Sequence, residues 1–511
     1  MKVTRGLDSV LVARAAAGLG LLFLLVGLGL AMRLVIRLVP YEPNFTIDFD
    51  YYILAGASLL RGENPYTAAV EMHAENVAGG YVYPPLLAWL LFPLGAALPA
   101  RLPYLVWVLA EMVGFAACLA LVLRAGAHPV AWHWVILVVG AAFLPFITWD
   151  TLYHGQVDFV LMVLVTVGLA LVSRGRPVAG GILLALAPSV KSFLAVILIY
   201  LAWRCRWRAF FVAGFTGAAL LVLLFLPTLG QGTAVIEGWI EASRTQGVPP
   251  LIGHPFNHAI YGTLARLFTP TPFAVAWVES PALFFSLMVL FGLVAPIVWV
   301  LAVPPGPLRR QSDVVLGYVE TGLLFTLMFA YGPIAESNHL IALWPVILVT
   351  MRLALSSPDA AQRLRWRPSA IVWAVFLVLT AGPLRQTTWT DPIPGVPDGL
   401  TVLLTGRVGV LLLIAGLATA WSVRQEHRVS NPHLSWRAAL AGARSWRARR
   451  PLPASSPATT PGQPRLPARL GGTGALGLLS VWSTRSLGPG EPVDGDVAEV
   501  LVANDQLVFR A

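Results

Sequence analysis

Apolar runs of about 20 residues recur along this chain as far as position 421, and a soluble fold has no interior large enough to bury them all. A helix needs about 17–25 such residues to cross a ~30 Å hydrocarbon core. The runs lie near 15–39, 84–98, 103–123, 130–149, 156–173, 178–201, 207–226, 281–303, 314–331, 339–354, 369–387 and 398–421. They are continuous rather than alternating, which excludes a β-barrel and leaves helices that satisfy their own backbone hydrogen bonds in lipid. Composition agrees: of 511 residues 57% are apolar and 12% charged, with a mean hydropathy of +0.73. Soluble domains carry about twice that share of charge. The expected fold class is an all-α polytopic membrane protein with about twelve spans.

Charge orients it. The first run follows Lys2, Arg5 and Arg14 and reads as an uncleaved anchor with its N-terminus in the cytoplasm. An even count returns the C-terminus to the same side. Arg204/Arg206/Arg208, Arg309/Arg310 and Arg352/Arg363/Arg365/Arg367 then all face the cytoplasm, while Arg174 and Arg176 fall outside, against the trend. The net charge of +10 therefore reads as membrane orientation, and no nucleic-acid motif accompanies it. Cys118 and Cys205 imply neither a disulfide framework nor a cysteine metal site.

The chain divides into a membrane domain, 1–424, and a Pro/Arg/Ser-rich cytoplasmic tail, 425–511, expected to be mostly disordered with VAEVLV as its one strand-like fragment. Two connections in the membrane domain are long, 40–83 and 228–280, and both face outward. Each exceeds the roughly 12–15 residues of an ordinary loop and is rich in aromatics, which points to function. The first is long enough for two short helices lying on the bilayer.

That first loop opens with TIDFDYYILAGASLLRGENPY. Asp48 and Asp50 stand just beyond the first span, where a carboxylate is partly desolvated yet reached from water, a setting suited to a general base. In a helix begun near Thr46 or Asp48, Tyr52 shares the face of Asp48 and Asp50 points roughly 160° away. The plain alternative makes Asp48 a helix cap and Asp50 a solvated acid. The YVYPP segment follows, where Pro65, Pro84 and Pro85 set turns and Tyr66, Tyr81 and Tyr83 supply aromatic surface, as an interfacial belt or as a platform over a cavity.

Three further groups stand out. In WDTLYHGQVDF, Asp150, His154 and Asp158 are spaced four apart as metal ligands can be, but Gly155 is expected to break the helix and leave a polar hinge. Lys191 lies inside an apolar run, where a lone cation costs at least ~2.5–3.5 kcal/mol unless it snorkels or meets an anion. In ESNHLIALWP, His339 opens a span with Glu336 one turn before it.

Taken in order along the chain, DFDYYILAGASLLRGENPY, VYPPLLAWLLFPL, HGQVDF, RGRPVAGGILLALAPSVK, PFNHAIYG and SNHLIALWP resemble glycosyltransferase family 87, the polyprenol-phosphate-mannose-dependent α-mannosyltransferases, over about residues 40–350. The resemblance implies a glycosyltransferase-C fold in the cytoplasmic membrane with an active site on the outer side. It implies transfer of a hexose, mannose first, from a polyprenyl-phosphate donor to a glycolipid or glycan acceptor, with inversion. By the same likeness Asp48, in preference to Asp50, is the catalytic base. His339 and Lys191 fall near the donor phosphate, with Arg33 and Arg37 as further candidates. Tyr52, Tyr66, Tyr83, His154, Gln156 and Asn257 complete the expected substrate site. No Gly-rich nucleotide loop is present, as a lipid-linked donor allows, and the expected partners are that donor, its acceptor and membrane lipid. No cofactor is implied, and an inverting transfer with a phosphate leaving group is expected to run without a metal. The rival class is a transporter or lipid flippase, against which stand the lack of an internal repeat and the acid-bearing first loop.

Overall fold

The structure is a computed structural model describing residues 2–38, 48–74, 80–98, 102–126, 128–231, 233–245, 252–254, 257–271, 275–307, 313–332, 335–380, 406–430, 500–503 and 506–509. A long first helix, α1 (Lys2–Leu38), leads to α2 (Asp48–Arg61) and α3 (Thr67–Ala74), the two short helices expected in the first outer loop. Then come α4 (Leu86–Ala97), α5 (Leu102–Arg124), α6 (Trp132–Ala142), α7 (Phe146–His154), α8 (Asp158–Ser173), α9 (Pro177–Val190), α10 (Val196–Trp203) and α11 (Trp207–Phe225). The 228–280 segment carries α12 (Ala234–Thr245) and the buried α13 (Ile260–Phe268). It is a folded element rather than the loop the hydropathy suggested. The remainder is α14 (Pro281–Ala302), α15 (Asp313–Tyr331), α16 (Trp344–Ser356), α17 (Ala360–Leu379) and α18 (Arg407–Ser430).

Seven helical segments of the described residues are long and apolar enough to cross a membrane: Val10–Leu30, Leu102–Arg124, Trp207–Gly230, Pro281–Ala302, Val314–Tyr331, Ser337–Ser356 and Arg407–Ser430. The described residues up to Ser430 form a helical, membrane-embedded protein. Its lipid-facing side is visible in large apolar side chains left bare of protein, among them Val113, Phe215, Val222 and Val289. Taken together, α6 and α7 are also long and apolar enough, but they are bent by 66°, the form of a broken span or of a re-entrant loop. The run expected at 84–98 is the 12-residue α4, and that at 156–173 is the 16-residue α8. The run at 178–201 is not one helix: α9 stops at Val190, and a short 3₁₀ turn, Ser192–Ala195, precedes α10. Hydropathy averaged over a window passes through such breaks, because both sides of a break are equally apolar.

Helices approach closely where glycine allows it. A Cβ on Gly20 would lie 2.6 Å from the Ile136 backbone, so α1 and α6 meet backbone to backbone, the small-residue contact that serves in lipid where no hydrophobic effect drives helices together. A buried ion cluster joins α10, α15 and α18. Arg204, the C-cap of α10, gives its Nε to Glu320 Oε2 at 2.8 Å, and His427 Nε2 lies 2.7 Å from Glu320 Oε1. Arg204 also donates to the Pro304 carbonyl at 2.6 Å. This cluster carries a correction: α18 continues to Ser430 with Glu426 and His427 buried, past the domain boundary expected at 424.

Residues 1–440 form one compact unit and 441–511 another. Within the second the described residues are an antiparallel pair, Val500–Ala503 with Gln506–Phe509, overlapping the VAEVLV fragment; 431–499, 504–505 and 510–511 lie outside the described residues.

Candidate active site

The site is assembled by a helix break that is legible in the sequence. α7 ends at His154, and Gly155 adopts the left-handed conformation (φ 62°, ψ 33°) that glycine enters without penalty. Gly155 N–H then reaches Leu152 O at 3.1 Å and Gln156 N–H reaches Thr151 O at 3.1 Å, closing a Schellman turn. Trp107 Nε1 holds the Gly155 carbonyl at 2.9 Å and Tyr104 OH the Leu152 carbonyl at 2.7 Å, so α5 clamps the turn from behind. The chain leaves it with Gln156 buried and directed at α2.

Gln156 is the hub. Its Nε2 donates to Asp48 Oδ2, while its Oε1 faces three donors: Tyr83 OH at 3.3 Å, Lys191 Nζ at 3.4 Å and Tyr52 OH at 3.5 Å. The amide has one workable orientation here, because an ionised carboxylate only accepts and an ammonium only donates. Asp48 and Tyr52, one turn apart on α2, thus meet the same side chain, as the helix phase predicted. Asp48 is half-buried. Burial raises its pKa above the usual 3.8, and His154, the Gln156 hydrogen bond and Lys191 pull the other way.

Lys191 sits at the break between α9 and the 3₁₀ turn, not in mid-helix as the hydropathy placed it. Its Nζ is 2.7 Å from Asp158 Oδ2, with both side chains almost fully buried. Asp158, the first residue of α8, is therefore the anion that offsets the desolvation of Lys191, in place of snorkelling. The Tyr83 ring adds a cation–π contact, with Nζ 5.4 Å from its centroid. The spacing of Asp150, His154 and Asp158 comes apart here. His154 Nδ1 lies 3.5 Å from Asp150 Oδ1, whereas Asp158 belongs to Lys191. Among the described residues no group of three or more His, Cys, Asp or Glu side chains is arranged to hold a metal.

The second wall is the 3₁₀ turn Ser337–Leu343, tied to α7 by a hydrogen bond from Ser337 Oγ to Asp150 Oδ2. A capping box starts it. The Glu336 side chain accepts from the His339 backbone N–H, and the Glu336 N–H donates to His339 Nδ1 at 3.2 Å. Nδ1 being the acceptor, the ring proton resides on Nε2. Phe193 and Phe329 flank the imidazole at 5.4 and 5.8 Å. Between these walls lies a cavity of about 340 Å³ whose polar lining includes Tyr83, Lys191, Glu336 and His339. Glu336 is half-buried. Its pKa is raised to about 7, first by burial and then by Asp48, against the pull of Lys191, the Asn338 amide and His154.

Other expected site residues serve the frame instead. Tyr66 is buried and donates to the Tyr83 carbonyl at 2.8 Å; Tyr81, also buried, donates to the Pro84 carbonyl at 2.6 Å. The rings expected as surface are buried and pack, tilted and edge-on, in a row that ends on Tyr83, because a phenol needs only one partner to enter a core. Asn257 is buried, its Oδ1 accepting from the backbone N–H groups of Ala259 and Ala335 at 2.9 and 3.0 Å, so it anchors the strand of chain before Glu336 rather than facing the cavity. Arg33 is exposed on α1, and the Arg37 side chain lies outside the described residues. Sequence reading gave Asp158 and Glu336 no role in the site; the only signals were the spacing to His154 and the capping register with His339.

No curated protein and no solved structure matches the chain. The model of glycosyltransferase family 87 matches residues 81–330, a segment that includes Tyr83, His154, Gln156, Asp158 and Lys191 but neither Asp48 nor His339. The match falls just short of half of the chain and takes in the Gln156 and Lys191 half of a single polar site; over that segment this membrane-embedded chain is similar to glycosyltransferase family 87.

Proposed function

We propose that the chain transfers a hexose, mannose first, from a polyprenyl-phosphate donor to a glycolipid or glycan acceptor at the outer face of the cytoplasmic membrane, inverting the anomeric carbon. The observation that carries the reading is Asp48 held by Gln156, which links it directly to Lys191 on the wall of the 340 Å³ cavity. In this reading Asp48 takes the proton of the attacking hydroxyl while the prenyl phosphate leaves on the far side of the sugar. The phosphate lies in the cavity. There His339 offers its Nε2–H as a neutral donor, and Lys191 offers an ammonium already half-compensated by Asp158. The shorter apolar helices α4, α8, α9 and α10 complete a glycosyltransferase-C arrangement of about twelve crossings, with the lipid tail in the bilayer. The reaction proceeds without a metal.

Purified protein supplied with polyprenyl-phosphate mannose and a membrane lipid extract should form a mannosylated lipid of inverted anomeric configuration, with chelator making no difference. Asp48→Asn keeps the size and most of the hydrogen bonding but removes the base, so turnover should fall by roughly 10²–10⁴-fold. Asp50→Asn should cost far less. The opposite ranking, or solute transport without sugar transfer, would refute the assignment.

A further inference from the structure

Glu336 is the one carboxyl on the polar wall of the cavity that no step above uses. It is fixed on both sides: its side chain accepts from the His339 backbone N–H, and Asn338 Nδ2 donates to its Oε2 at 3.2 Å. It shares the cavity with His339 and Lys191, the two groups assigned to the phosphate.

From this placement we propose that Glu336 is a second catalytic residue, a general acid that protonates the departing prenyl phosphate. The inference rests on the functional reading above and extends it from one carboxyl to two with opposite tasks. The bond from the anomeric carbon to the phosphate oxygen breaks with its electron pair on the phosphate. The Glu336 proton passes to that phosphate, the acceptor oxygen forms the new bond, and the acceptor's proton goes to Asp48. Product release leaves Glu336 ionised and Asp48 protonated, and exchange with water restores both. A phosphate monoester takes up this proton with a pKa of about 6, close enough for the transfer to be useful.

The electrostatics are arranged for it. Burial and the Asp48 charge hold Glu336 near neutrality, with its pKa at about 7, while Lys191 and His154 stop it from rising further. Tyr83, from the chain before α4, and the His339 ring, whose Nδ1 accepts from the Glu336 N–H, are the other titratable groups on the cavity wall. Asp158 stays paired with Lys191, and α15 presents only Met328 and Phe329 to the cavity. Two carboxyls whose environments separate their pKa values are the usual basis for dividing acid from base duty.

The test is the pH dependence of sugar transfer by the full chain in nanodiscs, with polyprenyl-phosphate mannose and lipid extract as substrates. Wild-type kcat should fall as pH rises through about 7, where Glu336 loses its proton. Glu336→Gln should abolish that alkaline limb and lower kcat on the acid side by about 10²-fold, with KM for donor little changed. Gln keeps the oxygen that accepts at the cap. A residue that only caps the turn would therefore show a wild-type rate and a wild-type limb in this variant, and either result would overturn the proposal. Should the variant fold poorly, the wild-type profile decides alone, since a flat response above pH 7 also overturns it. Wild-type protein inert toward every polyprenyl-phosphate sugar would instead strike the functional reading itself.

Discussion

The Lys191–Asp158 pair offers a way to separate what a charge does for the fold from what it does for the chemistry. The two groups are 2.7 Å apart with side-chain exposures of 3% and 4%, so water screens them little. Lys191→Met or Asp158→Asn alone would leave a buried charge without its counter-ion, which costs about 3–5 kcal/mol, whereas removing both together is often close to neutral. Gln156 softens the loss of Asp158 only slightly, because its 3.4 Å contact to Lys191 is long and shared with two phenols. Thermal unfolding in detergent should therefore show each single variant strongly destabilised and the double variant near wild type. Activity should behave differently. If Lys191 serves the donor phosphate, the refolded double variant remains slow, by the 10²-fold or more expected when a charge facing a leaving group is lost. Single variants as stable as wild type would refute the buried-pair argument. Full activity in the double variant would refute a role for Lys191 on the phosphate.

Other predictions address the frame. Gly155→Ala places a Cβ 2.8 Å from Phe49 Cβ and forces alanine to a positive φ, so it should cost about 1–2 kcal/mol or more and lower kcat by moving Gln156 off Asp48; unchanged turnover would show the turn to be dispensable. Glu320→Ala strands Arg204 and His427, neither of which lines the Lys191–Glu336 cavity, and should lower the melting temperature through a loss of about 3–5 kcal/mol while the surviving protein keeps its KM. For topology, Cys205 is exposed between α10 and α11 and should react with a membrane-impermeant thiol reagent only after permeabilisation. A cysteine at Glu71, on α3, introduced with Cys205→Ser, should react from outside, and the reverse pattern would invert the active-site placement.

Membrane residence, helical class and the short helices α2 and α3 after the first long helix are all written in single side chains and their local order, because a lipid-spanning helix answers to its own composition and needs no partner to be recognised. The same holds for the stop at Gly155 and for the phase that sets Tyr52 over Asp48, both consequences of backbone geometry within a few residues. What the sequence could not reveal is which charges share a space. Lys191 and Asp158 are 33 positions apart, Asp48 and Gln156 are 108 apart, and Ser337 reaches Asp150 across 187. No local rule joins such distant positions. The break at Lys191 was hidden for a related reason: apolar residues on both sides keep hydropathy level, and only the pull of a buried carboxylate on the neighbouring helix gives the cation a reason to leave the helical path. Tyr66 and Asn257 show the converse, polar residues that look ready for a ligand in the sequence yet are satisfied by backbone groups brought to them by packing. Tertiary structure alone decided the division between site and frame, since a side chain's task depends on whether its hydrogen-bonding capacity is already filled when the chain has folded.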